Sequence, residues 1–229
     1  TLIEVLSDRV ADELVLQHGH MPGGETAVIA MGKLGGNEMS AASDLDLITV
    51  YDFDDGDKQS DGARSLPGTP YYTRYTQRLI AALSAPTAEG SLYEVDMRLR
   101  PSGSQGPVAT KLSGFIDYQE KSAWTWEHLA LTRARVVTGP AALRKAIDDT
   151  IGQVLTRPRD RVAVAAEVQT MRGKIAQEKG TADIWSLKQV RGGLIDLEFI
   201  AQFLQLINAA ERPDVLDQNT ETALTKLSD

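Results

Sequence analysis

The chain has no cysteine, only three histidines, and aromatic residues make up just 6% of its 229 positions. Without thiols, disulfides and thiolate-held metal centres are excluded, and the composition suits a cytoplasmic protein. Long apolar runs are missing too. None approaches the ~20 residues that span a bilayer, and the opening TLIEVLSDRVADEL reads as an amphipathic helix with acidic charges, unlike a signal peptide. There is no basic excess: 24 Lys and Arg stand against 32 Asp and Glu, a net charge of −8. Non-specific nucleic-acid binding depends on neutralising phosphates with Lys and Arg, so neither a nucleic-acid nor a membrane partner is expected. The remaining composition, 42% hydrophobic and 24% charged, is that of a globular protein. The chain begins at Thr1 and stops inside a helical pattern, TETALTKLSD, as a piece of a longer polypeptide would.

Periodicity divides the chain into two styles. A helix over about Leu2 to Gln17 stops at the Gly- and Pro-containing HGHMPGG. TAVIAMG reads as a short apolar strand, and DLDLITVYD alternates with a period of two, a strand with one wet end. An acidic loop, DFDDGDKQSDGARSLPGTP, leads into YYTRYTQRLIAALS, where Tyr72, Tyr75, Leu79 and Leu83 make one helical stripe. SLYEVDMRLR reads as a third strand, with Leu92, Glu94, Asp96 and Arg98 on one face. From Leu112 onward the pattern is helical, including all of LSGFIDYQEKSAWTWEHLALTRARVV. An α+β chain follows: a small sheet with flanking helices, then a helical segment. The division is expected near Thr138 to Pro140, giving residues 1–138 and 139–229.

The chemistry lies in the acids. Asp44 and Asp46 sit two apart on one strand and share a face. If the third strand pairs beside the second, Asp96 converges on them. Three carboxylates at one place repel unless a hard divalent cation neutralises them, and magnesium or manganese prefers such oxygen ligands, shared with substrate phosphates. Two such ions stabilise the attacking and leaving oxygens of an in-line phosphoryl or nucleotidyl displacement. An isolated Asp-Leu-Asp is more often a solvated strand end or turn cap. Here Gly32 and Lys33 close the preceding strand, and their small size and charge suit a phosphate. Ser43 either hydrogen-bonds a phosphate oxygen or caps the turn.

Competing motifs fail. GKLGG lacks the spacing of a Walker A loop and of a dinucleotide-binding glycine fingerprint. DFDDGD has its glycine one position early for a calcium loop and reads as a solvated acidic segment. His18, His20 and His128 have no ligand spacing with the acids, and His128 is expected to be structural.

A Gly-containing turn, a spacer, Asp-x-Asp and a later acid resemble the nucleotidyltransferase superfamily of DNA polymerase β type, although Lys33 stands where that superfamily usually has Gly or Ser. Five ordered segments narrow the resemblance: MGKLGGNEMSAASDLDLI, YYTRYTQRLIAAL, LYEVDMRLRPSGSQGPV, AWTWEHLALTRARVV and GGLIDLEFIAQ. Together they are similar to the glutamine synthetase adenylyltransferase (glutamate-ammonia-ligase adenylyltransferase) family over about residues 26 to 207. That family has two homologous catalytic halves, one attaching AMP to glutamine synthetase and one removing it. RLRPSG, AWTWEH, and TRPRD followed by EVQTMRGKI resemble the attaching, C-terminal half; the removing half is the closest rival.

The resemblance implies a polymerase β-like core in residues 1–138 and AMP transfer from ATP to a tyrosine of glutamine synthetase, releasing pyrophosphate. Asp44, Asp46 and Asp96 would be the catalytic acids and ligands of Mg2+ (or Mn2+), and Gly32, Lys33, Ser43, Arg98 and Arg100 phosphate contacts. For Arg98 an ion pair with Asp96 is the stronger reading. Trp124 and Trp126 are expected in the core rather than on adenine, and Asp196 and Glu198 are expected to tie the helical half to the catalytic one. Implied partners are glutamine synthetase and, through other regions of a longer protein, a PII signalling protein. A silent glutamine synthetase-binding module and a nucleic-acid polymerase or tRNA-modifying enzyme are the readings of other classes.

Overall fold

Thr1 and Glu4 form a capping box, with Glu4 N–H donating to Thr1 Oγ1 at 3.3 Å, and α1 (Leu2–His18) runs from it to Gly19 at φ +77°. The computed structural model describes residues 1–41, 43–54, 59–88 and 90–228. After α1 come β1 (Glu25–Ala30), the single turn α2 (Gly32–Gly35), β2 (Leu45–Asp52) and α3 (Gly68–Leu83). A two-residue hairpin of β3 (Pro86–Thr87) and β4 (Gly90–Ser91) precedes β5 (Val95–Asp96) and β6 (Ala109–Lys111). Helices α4 (Leu112–Lys121) and α5 (Thr125–Leu131) are followed by β7 (Arg135–Val136). Four helices complete the order: α6 (Ala141–Leu155), α7 (Arg161–Lys179), α8 (Leu194–Asn208) and α9 (Thr220–Ser228).

The result is a mixed α/β fold around one small mixed sheet, ordered β5-β2-β1-β7, with β6 also paired to β2. β1 is antiparallel to β2 and to β7, while β5 and β6 lie parallel to β2 at successive stretches of the same edge. Both faces of the sheet are covered, which is why TAVIA and LITVY read as nearly continuous apolar runs. Val28, Ala30, Leu45, Leu47 and Tyr51 pack on α1 and α3, burying Leu14, Tyr72, Tyr75 and Leu79. Ala27, Ile29, Ile48 and Val50 pack on Phe115, Leu129, Ile147 and Leu206 from the later helices. Asp46 has the parity of Ile48 and Val50, so it belongs to the face that the later helices cover.

Two expectations change. The third strand shrinks to Val95–Asp96, because the chain turns at Met97 and Arg100 N–H donates to Met97 O at 3.2 Å. The continuous helical reading after Leu112 breaks into α4 and α5, and Arg135–Val136 joins the free edge of β1, where strand pairing overrides helical periodicity. Residues on both sides of the expected division at 138 share the second core, since α6 lies against β1, β7 and α4. Residues 55–57 of the acidic DFDDGD loop lie outside the described residues. Among the described residues no helix is long and apolar enough to cross a membrane.

Candidate active site

The turn after β1 and the start of β2 meet because the two strands are antiparallel. Met31 N–H donates to Asp46 O at 2.9 Å, which brings Gly32 alongside Asp46. Gly32 has φ +52°, and a Cβ there would fall inside van der Waals contact of Asp46 Oδ2. Glycine is therefore required twice over, for its backbone and for the space the carboxylate occupies. Arg135 on β7 pins the same turn, donating to Gly35 O at 2.9 Å, Leu34 O at 2.8 Å and Asn37 Oδ1 at 2.8 Å.

β5 adds the third acid. Its parallel register sets Asp96 directly beside Asp46. Burial first, then the charges of Asp96 and Asp44, push the Asp46 carboxyl from 3.8 up to about 6. Asp96 goes the other way: Arg98 grips it through Nε (3.0 and 2.8 Å to its two oxygens) and Nη2, and also donates its backbone N–H at 2.8 Å. That contact holds the Asp96 carboxyl below its ordinary range despite partial burial. The ion-pair reading of Arg98 matches this geometry.

Gly32, Lys33, Ser43, Asp44 and Asp46 line one cavity of about 510 Å³, where the acid-bearing end of the sheet meets helices α5, α7 and α8. Ser43 also shapes its own turn: Ser40 N–H donates to Ser43 Oγ at 3.0 Å, so it caps the turn and faces the cavity at once. Asp96, Arg98 and Arg100 do not line this cavity. Arg100 is buried, and its guanidinium donates to Met97 O (2.7 Å), Pro107 O (3.0 Å) and Gly106 O (3.2 and 3.3 Å). Its geometry is that of a staple across the turn 97–107.

The acids supply hard oxygen donors, and burial together with the neighbouring carboxylates disfavours the charged form of Asp46 more than the nearby Arg98 and Arg133 favour it. Among the described residues no three acidic or imidazole side chains already stand as a metal-holding cluster. Arg98 is the cation on Asp96 here, so the donor chemistry fits a magnesium-type ion while Asp96 is engaged elsewhere.

The residue that sequence reasoning missed is Arg133. Buried in the cavity wall, it donates through Nη2 to Glu38 at 2.6 Å and pairs through Nη1 with Glu198 at 3.3 Å. Glu38 in turn accepts from Thr220 N–H at 2.5 Å. One guanidinium thus joins the segment after the Gly32 turn to α8 and to the start of α9. A long cation within an otherwise buried LALTRARVV was the available signal, because a buried charge demands partners. Glu198 on α8 does pair with Arg133, a residue of the expected 1–138 segment. Asp196 instead pairs with Arg172 and accepts from Gly192 N–H at 2.5 Å, which fastens α8 to α7 and its preceding loop.

The tryptophans are not core. Trp124 is 69% and Trp126 36% exposed, because α5 starts only at Thr125 and turns Glu127, His128, Leu129 and Leu131 inward instead. Buried Glu127 holds that start, accepting from Trp124 N–H (2.9 Å) and Tyr118 Oη–H (2.8 Å). His128 is structural, its Nε2–H donating to Gln119 O at 3.0 Å.

A family model for glutamate-ammonia ligase adenylyltransferase matches residues 1–150. The chain belongs to that family. It is 56% identical over 215 residues to a protein of Rhodopseudomonas palustris (strain TIE-1), covering 94% of this chain. Identity is 55% over 219 residues to one of Bradyrhizobium diazoefficiens, 96% of this chain. It is 53% over 209 residues to one of Rhizobium meliloti (strain 1021), 91% of this chain. All three relatives are named bifunctional glutamine synthetase adenylyltransferase/adenylyl-removing enzyme, and the chain spans 22%, 22% and 21% of their lengths. The family name thus covers two opposed reactions, and a fifth of the relatives' length holds this chain.

Proposed function

We propose that this chain is the AMP-attaching catalytic domain of its family, with a polymerase β-type nucleotidyltransferase core and a tyrosine of glutamine synthetase as acceptor. The observation that carries the nucleotidyl-transfer chemistry is the juxtaposition of Asp46 with Asp96 beside the Gly32 turn, where Asp46, Asp44, Lys33 and Ser43 line one cavity. The choice of the attaching half is supported by RLRPSG, AWTWEH and EVQTMRGKI, which resemble that half.

Asp44, Asp46 and Asp96 would hold the magnesium ion, which when bound neutralises the triphosphate and the acids together. The chain's own residues account for the rest. The open backbone at Gly32 and the ammonium of Lys33 receive phosphate oxygens, and Ser43 offers a hydroxyl already oriented by Ser40. Asp96 is kept ionised by Arg98 and accepts the hydrogen bond of the attacking phenol. A tyrosine of pKa about 10 is otherwise neutral at pH 7 and needs such a partner. Arg133 holds the segment that follows the Gly32 turn against α8, so the phosphate end and the helical wall move as one unit.

Unmodified glutamine synthetase incubated with the chain, magnesium and ATP labelled at the α-phosphate should acquire label, and Asp44→Asn/Asp46→Asn should abolish it. Phosphate-dependent release of AMP from modified synthetase, with no labelling, would assign the removing half instead. Neither activity, together with a melting temperature indifferent to magnesium and ATP, would leave a silent binding module.

A further inference from the structure

The cavity lined by Asp44 and Asp46 has an apolar patch on its helical side. Trp126 and Leu129 on α5, Met171 on α7 and Phe199 on α8 form it, and Gln202 lines it from the same stripe of α8. A second hollow, of about 350 Å³, shares Trp126, Leu129 and Met171 and continues past Trp124. An indole more than a third exposed beside a cavity is surface that a flat apolar partner would cover with gain.

A nucleoside triphosphate has the polarity of this cavity: charged oxygens at one end and a heteroaromatic plane at the other. Two further cations line the cavity, Lys188 and Arg133, the latter already paired with Glu38 and Glu198. The opposite placement would draw the phosphates away from Gly32, Lys33 and the acids and leave the indole of Trp126 without a flat partner. Glu198, on the same wall, is already held by Arg133 at 3.3 Å. Gln202 therefore supplies the amide there. One carboxamide carries a donor and an acceptor, the pair that adenine's N6 amino group and adjacent ring nitrogen complement; guanine sets two acceptors, O6 and N7, side by side.

We infer that Trp126 stacks on the purine of the nucleotide and that Gln202 reads its amino edge, making these two the base-recognition and specificity residues of the site. This rests on the nucleotidyl-transfer reading above and names how the donor nucleotide is chosen. Trp124, farther from the acids and lining only the second hollow, is not part of the base site.

The chain has three tryptophans, so Trp124→Phe/Trp185→Phe leaves Trp126 as the sole indole reporter. In that background, magnesium-ATP and magnesium-tripolyphosphate are titrated while emission and melting temperature are recorded. Both should raise the melting temperature, and only ATP should change Trp126 emission. In the parent chain, Trp126→Ala should weaken ATP binding roughly 10- to 100-fold while tripolyphosphate binding stays within about twofold, and Trp126→Phe should restore most of the loss. Gln202→Leu should lower the preference for ATP over GTP about tenfold or more.

If ATP and tripolyphosphate both bind, Trp126 emission is unmoved and Trp126→Ala binds ATP like the parent, the base site is wrong and the phosphate end stands. If neither ligand binds, the nucleotide reading fails and this inference with it. A change in Trp126 emission with unmodified glutamine synthetase but not with ATP would overturn the inference and give this wall to the acceptor.

Discussion

Asp46→Asn removes one negative charge from the crowded start of β2 and keeps the side chain's size, so it separates what the carboxylate does for the reaction from what it costs the fold. The Asp46 carboxyl is raised from 3.8 to about 6 by burial and by Asp96 and Asp44. At ~1.4 kcal/mol per pKa unit, keeping it ionised near neutrality costs roughly 3 kcal/mol as an upper bound. Solvent reaches part of the side chain from the cavity, so about 1–2 kcal/mol is the expected net value. The sign follows from linkage. The folded pKa lies above the unfolded one, so the carboxyl's contribution to stability is fully present below 3.8 and is lost as pH rises through about 6. Urea unfolding in EDTA should therefore show Asp46→Asn more stable than the parent above about pH 6.5, with the gap closing toward about pH 4.5. The same variant should lose AMP transfer. A variant less stable than the parent at neutral pH, or a difference that does not change with pH, would refute the claim that burial and the neighbouring carboxylates make the charged Asp46 costly to the fold.

Gly32→Ala should lower stability by about 1–3 kcal/mol, measured by thermal unfolding, because the methyl group meets Asp46 Oδ2 and φ is +52°. Arg133→Met should cost about 3–5 kcal/mol in urea unfolding, since it leaves Glu38 and Glu198 without their buried cation. A cost under ~1 kcal/mol would show that the two acids rehydrate freely. His128, whose pKa burial lowers, contributes stability that is present above its unfolded value of about 6.5 and is lost as pH falls below it. His128→Gln should flatten the pH dependence of unfolding between about pH 5 and 7, and an unchanged slope would place the acid sensitivity elsewhere.

The layout of the candidate site was legible wherever it depended on neighbours in sequence. Alternation in DLDLITVYD put Asp44 and Asp46 on one face, and the apolar strand before Gly32 marked a turn that brings backbone close to them. Tyr72, Tyr75, Leu79 and Leu83 are buried as their spacing required. The sequence was less informative where short segments had two uses. Arg135–Val136 has helical surroundings, yet the open edge of β1 takes it as a strand; Trp124 and Trp126 look like core until the start of α5 at Thr125 rotates them outward.

The sequence by itself thus determined the family, the covered sheet and two of the three acids, because strand alternation and ordered motifs are local properties of the chain. Only the tertiary structure decided that Asp96 stands beside Asp46, that Arg98 grips that acid while Arg100 staples a turn, and that Arg133 joins Glu38 to Glu198. Those outcomes rest on strand register and on a cavity assembled from β2, α2, α5, α7 and α8. Contacts between segments scores of residues apart leave no period in the sequence from which to read them.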